Sequence, residues 1–221
     1  MNEKIEAFHF FIPHPSSLIP SFMSSKAKAL IRLLGECLMS DVEVFRTRVF
    51  VGLANFLPNF NTISTFVRPL LLRLAGASVA FPATIHRPLF IYYAGELIIE
   101  RYAFINQGVR MEGRKTIRIG EGALIGPFCC IENVNHRPGG SEELPVTIGK
   151  GAWIGGGSIL LPGAEVGEGA VVAAGSVVRG RVSPHELWGG VPARSLRKLD
   201  HAPTLADKTI DEGEPLSVGK G

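Results

Sequence analysis

Six histidines are spread over the 221 residues, and one of them, His136, lies within the most regular part of the chain. An imidazole has a reference pKa of about 6.5, so it can take a proton near neutral pH. A hydroxyl is a poor nucleophile until that proton leaves, and a positioned histidine can remove it as the oxygen attacks a carbonyl. Glu142 and Glu143 follow in the same loop. They are candidates to orient the ring or bind an acceptor, although solvated loop charges are the commoner case. Taken alone, His136 reads better as an ordinary loop histidine, so its surroundings must decide. His9, His14, His86, His185 and His201 have no comparable context and default to structural or surface roles.

The surroundings are a repeat of six. Ile119, Ile125 and Ile131 form one run, and Ile148, Ile154, Leu160, Val166, Val172 and Val178 form another. Four places after each stands a second, mostly small residue: Ala123, Cys129, Asn135, then Ala152, Ser158, Ala164, Ala170, Ser176 and Val182. A period of six fits neither a helix nor a simple strand. It fits a chain that turns a corner every six residues, with an aliphatic side chain inside each flat side and a small one near the corner. Three sides close a coil of about eighteen residues, and coils stack at strand spacing, ~4.8 Å. Val79, Ile85 and Ile91 fit a weaker first coil, and Ile99, Ile105 and Met111 a better one. Insertions at 113–115 and 137–146 shift the register, and the second follows His136. Loops on a rigid solenoid often carry function.

Upstream, Ala27, Leu30, Ile31, Leu34 and Leu38 recur at helical spacing after a cap at Ser24 or Ser25. Asp41 is placed to cap a second helix from Val42 to Leu57. A third is expected from Phe66 to Leu74, ended by Gly76. The segment 1–75 reads as a helical cap on one end of the solenoid, 76–199 as the solenoid, and 200–221 as a disordered tail, with 1–22 irregular. The formal charge of +3 favours small anionic ligands over nucleic acid. Cys37, Cys129 and Cys130 give no disulfide framework, and a reducing cytoplasm is the simplest setting. Cys129 reads as core; Cys130 should face out, and nothing supports a cysteine nucleophile. No signal peptide is evident, and the polar residues of 49–67 argue against a membrane span, while a peripheral membrane contact stays open.

Ordered segments beyond the repeat carry a resemblance: Phe104-Ile105-Asn106, Ile125-Gly126-Pro127, Asn135-His136, Trp153-Ile154-Gly155-Gly156-Gly157-Ser158, Leu161-Pro162-Gly163, Ala174-Gly175-Ser176-Val177-Val178 and Gly190-Val191-Pro192-Ala193-Arg194. In order and spacing they resemble the hexapeptide-repeat acyltransferases, in the maltose, galactoside and colanic-acid-type O-acetyltransferase branch. The resemblance implies a mainly β fold, a left-handed parallel β-helix after an N-terminal helical segment. It implies a homotrimer with acetyl-CoA in a groove between neighbouring subunits. It makes His136 the general base and Asn106 a residue that helps hold the acceptor. Trp153, Gly156, Ser158, Ala174, Gly175 and Arg194 would meet the coenzyme, Ser158 through its backbone. Arg179, Arg181, Arg197 and Lys198 are further candidates for its phosphates, with surface solvation as the alternative. No metal is implied. The loop after His136 is short and lacks the acidic sugar-binding pattern of the maltose and galactoside enzymes, which leans towards polysaccharide-type acceptors. The expected function is O-acetylation of a saccharide or glycoconjugate. The alternatives are a non-sugar alcohol such as an antibiotic, a non-catalytic scaffold, and a zinc γ-type carbonic anhydrase, which would need three converging histidines.

Overall fold

A computed structural model of the chain describes residues 24–199. The expectations for 1–22 and 200–221, and for His9, His14 and His201, lie outside the described residues. From Ser78 the chain winds into a β-solenoid of about six turns with three faces of parallel strands. On the first face Val79, Ile99, Ile119, Ile148, Val166 and Val182 stand in register. On the second, Ile85, Ile105, Ile125, Ile154, Val172 and Trp188 do so. On the third, Ile91, Met111, Ile131, Leu160 and Val178 align. All nine aliphatic residues of the two clean runs are at most 3% exposed, as a core built one side chain per flat side requires. The small corner residues are buried as well, with one exception. Asn135 is only half-buried, because the chain has already left the coil; Asn133 is the fully buried residue at that departure, and its Nδ2 donates to the Lys115 carbonyl.

The N-terminal region differs from the sequence reading. Ser24 caps the first helix as expected, its hydroxyl accepting from Ala27 N–H at 3.3 Å. That helix, α1, then runs unbroken over Ser25–Phe56. Asp41 is therefore no cap: helix formers on both sides let the ladder continue through it. A π-helical turn, Ile63–Val67, leads into α2, Arg68–Ala75, and Gly76 ends it at φ 114°.

These helices cover the exposed rim of the first coil. Asn55 gives and takes one hydrogen bond with the backbone of Leu89, at 2.7 and 2.9 Å. Asn59 does the same with Arg87, at 3.2 and 3.0 Å. Each amide thus replaces the neighbouring strand that the first coil lacks, which blunts an open sheet edge. Arg68, fully buried, donates to the carbonyls of Ala54, Leu57, Pro58 and Ile85 and to Ser64 Oγ, tying both helices to the second face. At the other end, the strand Ala193–Lys198 turns back antiparallel on Glu186–Gly190.

Candidate active site

Two edges of the prism hold the candidate residues, one on each side of the third face. Between the third and first faces the insertion forms a β-hairpin, Val134–Arg137 paired with Gly140–Glu143. Pro138 presets φ at the first turn position and Gly139 supplies the positive φ, 96°, at the second. Val134, 7% exposed, anchors the hairpin, and Leu144 N–H bonds to the Asn133 carbonyl at its base. Strand alternation puts His136 on the same hairpin face as Val134.

His136 stands directly across from Ser141, with Nδ1 2.9 Å from Ser141 Oγ. In the tautomer whose Nδ1–H donates to that hydroxyl, Nε2 is the basic nitrogen, and the imidazole is exposed. Sequence reasoning looked to Glu142 and Glu143 for this orienting role. They are both exposed and pair instead with Asn135 and Val134. A two-residue Pro-Gly turn fixes the 136–141 pairing, so the signal for Ser141 was present in the sequence.

The second edge, between the second and third faces, is built from glycine. A Cβ on Gly126 would lie 2.5 Å from Gly156 N, and one on Gly155 would lie 2.5 Å from Ala174 N. Only glycine lets the coils stack so closely there. Gly157 and Gly175, at φ 70° each, face open space instead. Gly157 N–H bonds to the Pro127 carbonyl and Gly175 N–H to the Gly156 carbonyl, so they sit one above the other. Ala174 and Gly175 are exposed and Gly156 half-buried. The result is a smooth strip of backbone that an extended chain could lie along.

Asn106 sits on this glycine edge. Its Oδ1 accepts from Gln107 N–H at 2.8 Å, and it hydrogen-bonds to His86 one coil below. His86 packs edge-on to Phe104, with ring centroids 5.0 Å apart. Burial first, and then the charge of Arg68, hold the His86 pKa below its ordinary value, against the opposing Asn106 bond. Ser158 is fully buried and donates to the Ala173 carbonyl at 3.1 Å, so its side chain serves the core. Trp153 faces outward on the second face, half-buried. Arg194 is exposed opposite Gly189, at the end of the glycine edge. Arg179, Arg181, Arg197 and Lys198 are also exposed.

Backbone amides of Gly155–Ser158 are candidates to donate to an oxyanion, but three of the four serve the coil. Gly155 N–H bonds to Val172, Gly157 N–H to Pro127 and Ser158 N–H to Gly155. Gly156 N–H is the one of the four without a partner among the described residues. Within one chain, then, the structure brings Asn106, Gly156, Ala174, Gly175 and Arg194 to one edge. It brings His136, Glu142 and Glu143 to the other. Among the described residues no three His, Cys, Asp or Glu side chains gather as a metal site would need.

A family model described as bacterial transferase hexapeptide (six repeats) matches residues 145–180. The chain is 28% identical over 140 residues to the galactoside O-acetyltransferase of Escherichia coli (strain K12), a match covering 60% of this chain and 69% of that enzyme. A hexapeptide-repeat acetyltransferase from Vibrio cholerae O1 biovar eltor, solved with acetyl coenzyme A, superposes at a TM-score of 0.65. It is 27% identical, over 72% of this chain and 88% of that one. The chain is similar to hexapeptide-repeat acetyltransferases in both sequence and fold. A putative acetyltransferase of Staphylococcus aureus (strain COL) is 44% identical over 82 residues, 35% of this chain. The chain spans only 41% of that relative's length. No helix among the described residues is long and apolar enough to cross a membrane.

Proposed function

We propose that this chain transfers an acetyl group from acetyl-CoA to a hydroxyl of a saccharide or glycoconjugate, with His136 as general base. The observation that carries the reading is the His136–Ser141 pair: with Nδ1–H donating to the hydroxyl, Nε2 of this exposed side chain is the nitrogen left to act as base. Similarity to these acetyltransferases supports the reaction class, as does the acetyl coenzyme A bound by the Vibrio relative. Nε2 takes the acceptor's proton while its oxygen attacks the thioester carbonyl. Gly156 N–H donates to the resulting oxyanion. The tetrahedral species then expels the CoA thiolate, and the imidazolium returns the proton to sulfur. The products are an acetyl ester and CoA with a free thiol, and no acyl-enzyme forms.

The two edges suggest how the site is completed. The glycine edge suits the pantetheine arm, with Trp153 and Arg194 as flanking contacts, yet it lies across the third face from His136. A homotrimer resolves this, with the hairpin edge of one subunit facing the glycine edge, and Asn106, of the next. A cytoplasmic setting, where acetyl-CoA is made available, goes with this reading.

His136→Ala is the direct test. Thiol release should fall about 10²- to 10⁴-fold while acetyl-CoA still binds. Unchanged turnover removes His136 from the mechanism and favours a scaffold. Light scattering on an active sample tests the assembly, and an active monomer rules out the shared groove.

A further inference from the structure

Between α1 and the outer surface of the third face lies an open cleft of about 550 Å³. Arg48 of α1 and Arg110 and Arg114 of the solenoid line it, together with Glu112, Phe90 and Tyr92. Three arginines thus share the cleft with one lining carboxylate, Glu112, and a second, Glu132, stands beside it. Glu112 is itself less inclined to ionise: burial first, and then the hydrogen bond and charge of Glu132, push its pKa up, against the opposing Arg114 and Arg110 charges. The cations are only loosely matched. Arg110 Nη2 is 3.8 Å from Glu132 and Arg114 Nε is 3.5 Å from Glu112, both beyond good hydrogen-bond distance. Arg114 also lies over the rings of Tyr93 and Tyr92, at 5.2 and 5.8 Å, which holds its planar fork in place. Arg48 has no hydrogen bond or ion pair among the described residues. Phe90 and Tyr92 are exposed as well, 55% and 48%. They offer flat apolar walls beside the charge, as sugar rings favour.

The position of the cleft gives it a use. Glu112 N–H bonds to the Ile131 carbonyl, so Glu112 lies directly below Glu132 on the next coil. Four residues after Glu132 the chain reaches His136. Glu112, in the lining of the cleft, therefore lies one coil below the foot of the hairpin that carries the imidazole. We propose that it is an acceptor subsite for an anionic saccharide, one with a phosphate or carboxylate near the hydroxyl that is acetylated. Guanidinium forks match both anions in a two-point geometry. This inference rests on the acetyl-transfer reading for its purpose but not for its test.

Binding is measured first, without turnover, by calorimetry on the full chain with glucose 6-phosphate, glucuronic acid and glucose. At least one anionic sugar should bind, and glucose at least tenfold more weakly. The better of the two anions identifies the group recognised. Arg48→Gln and Arg110→Gln should each weaken anion binding about tenfold, the effect of losing one charge-assisted bond. Both side chains are exposed, so the variants should keep the wild-type melting temperature, and Arg48→Glu should weaken binding further. Equal binding of glucose and the anions, or no binding at all, overturns the proposal. So does anion binding that survives in Arg48→Gln/Arg110→Gln. Thiol release with the bound sugar is measured separately. Arginine-dependent binding without turnover would keep the cleft and count against the acetyl-transfer reading.

Discussion

The two edges of the third face solve opposite problems. The glycine edge repeats the same corner coil after coil, and its regularity comes from contact: backbone meets backbone where any Cβ would intrude. The hairpin edge breaks the repeat most strongly between Ile131 and Val146, beyond the shorter insertion at 113–115, and there projects two strands out of the coil. Regular stacking yields a long, smooth strip with few side chains, suited to an extended coenzyme. It cannot aim one imidazole. An interruption can, because the coils below hold its base while its tip is free to vary. On the proposed function, a solenoid thus separates binding from chemistry by edge rather than by depth in a pocket.

Three substitutions test how far that division holds, and the largest effect belongs to the hairpin. His136→Ala should lower turnover by about 10²- to 10⁴-fold and leave the melting temperature nearly unchanged, since the side chain is exposed. Gly155→Ala should do the reverse. Its new Cβ would meet Ala174 N at 2.5 Å, and overpacking against backbone costs about 1–3 kcal/mol, seen as a lower midpoint in urea. Gly139→Ala gives the contrast within glycine itself. Nothing lies within 4 Å of that Cβ, so only the φ of 96° opposes it, and the loss should be about 1 kcal/mol. Equal losses at Gly155 and Gly139 would mean that contact is not what the glycine edge is for.

The same contrast explains what the sequence revealed. The six-residue period located all nine aliphatics of the two clean runs, because one aliphatic per flat side is both the pattern and the packing. Period alone could not say what a helix face meets. Leu30, Leu34 and Leu38 marked α1, yet they are 56%, 60% and 64% exposed, and the helix grips the solenoid through Thr47, Val51, Ala54 and Asn55 instead. Nor could period show where the chain leaves its coil, which is why Asn135 was placed at a corner that Asn133 occupies. His136 and the glycine strip were legible from local motifs. Ser141 and the arginine cleft were not singled out, because each depends on pairing between segments: one across a turn, the other between α1 and a face distant from it in the chain.

Smaller effects sharpen the picture. Ser141→Ala removes one hydrogen bond, about 1 kcal/mol, so kcat should fall about fivefold. The pH profile should shift as well, since the ring loses the partner that selects its tautomer. A purely structural role for Ser141 would leave that profile in place.

The smallest expected effect lies at the glycine edge and concerns His86. Its pKa in the folded chain is lowered by burial, so the unfolded chain binds a proton first as pH falls. Stability therefore rises with pH where only the unfolded form is protonated. The contribution of His86 is fully present above its unfolded pKa of about 6.5 and is lost as pH falls from there towards the folded value. Melting of wild type and His86→Gln between pH 7.5 and 5.5 checks this. The wild type should lose more stability on acidification than the variant, because glutamine keeps a polar group beside Asn106 without a titrating proton. Parallel curves would mean that His86 charges as readily folded as unfolded. Asn106 would then owe nothing to a neutral neighbour, and its place on the glycine edge would be set by Gln107 alone.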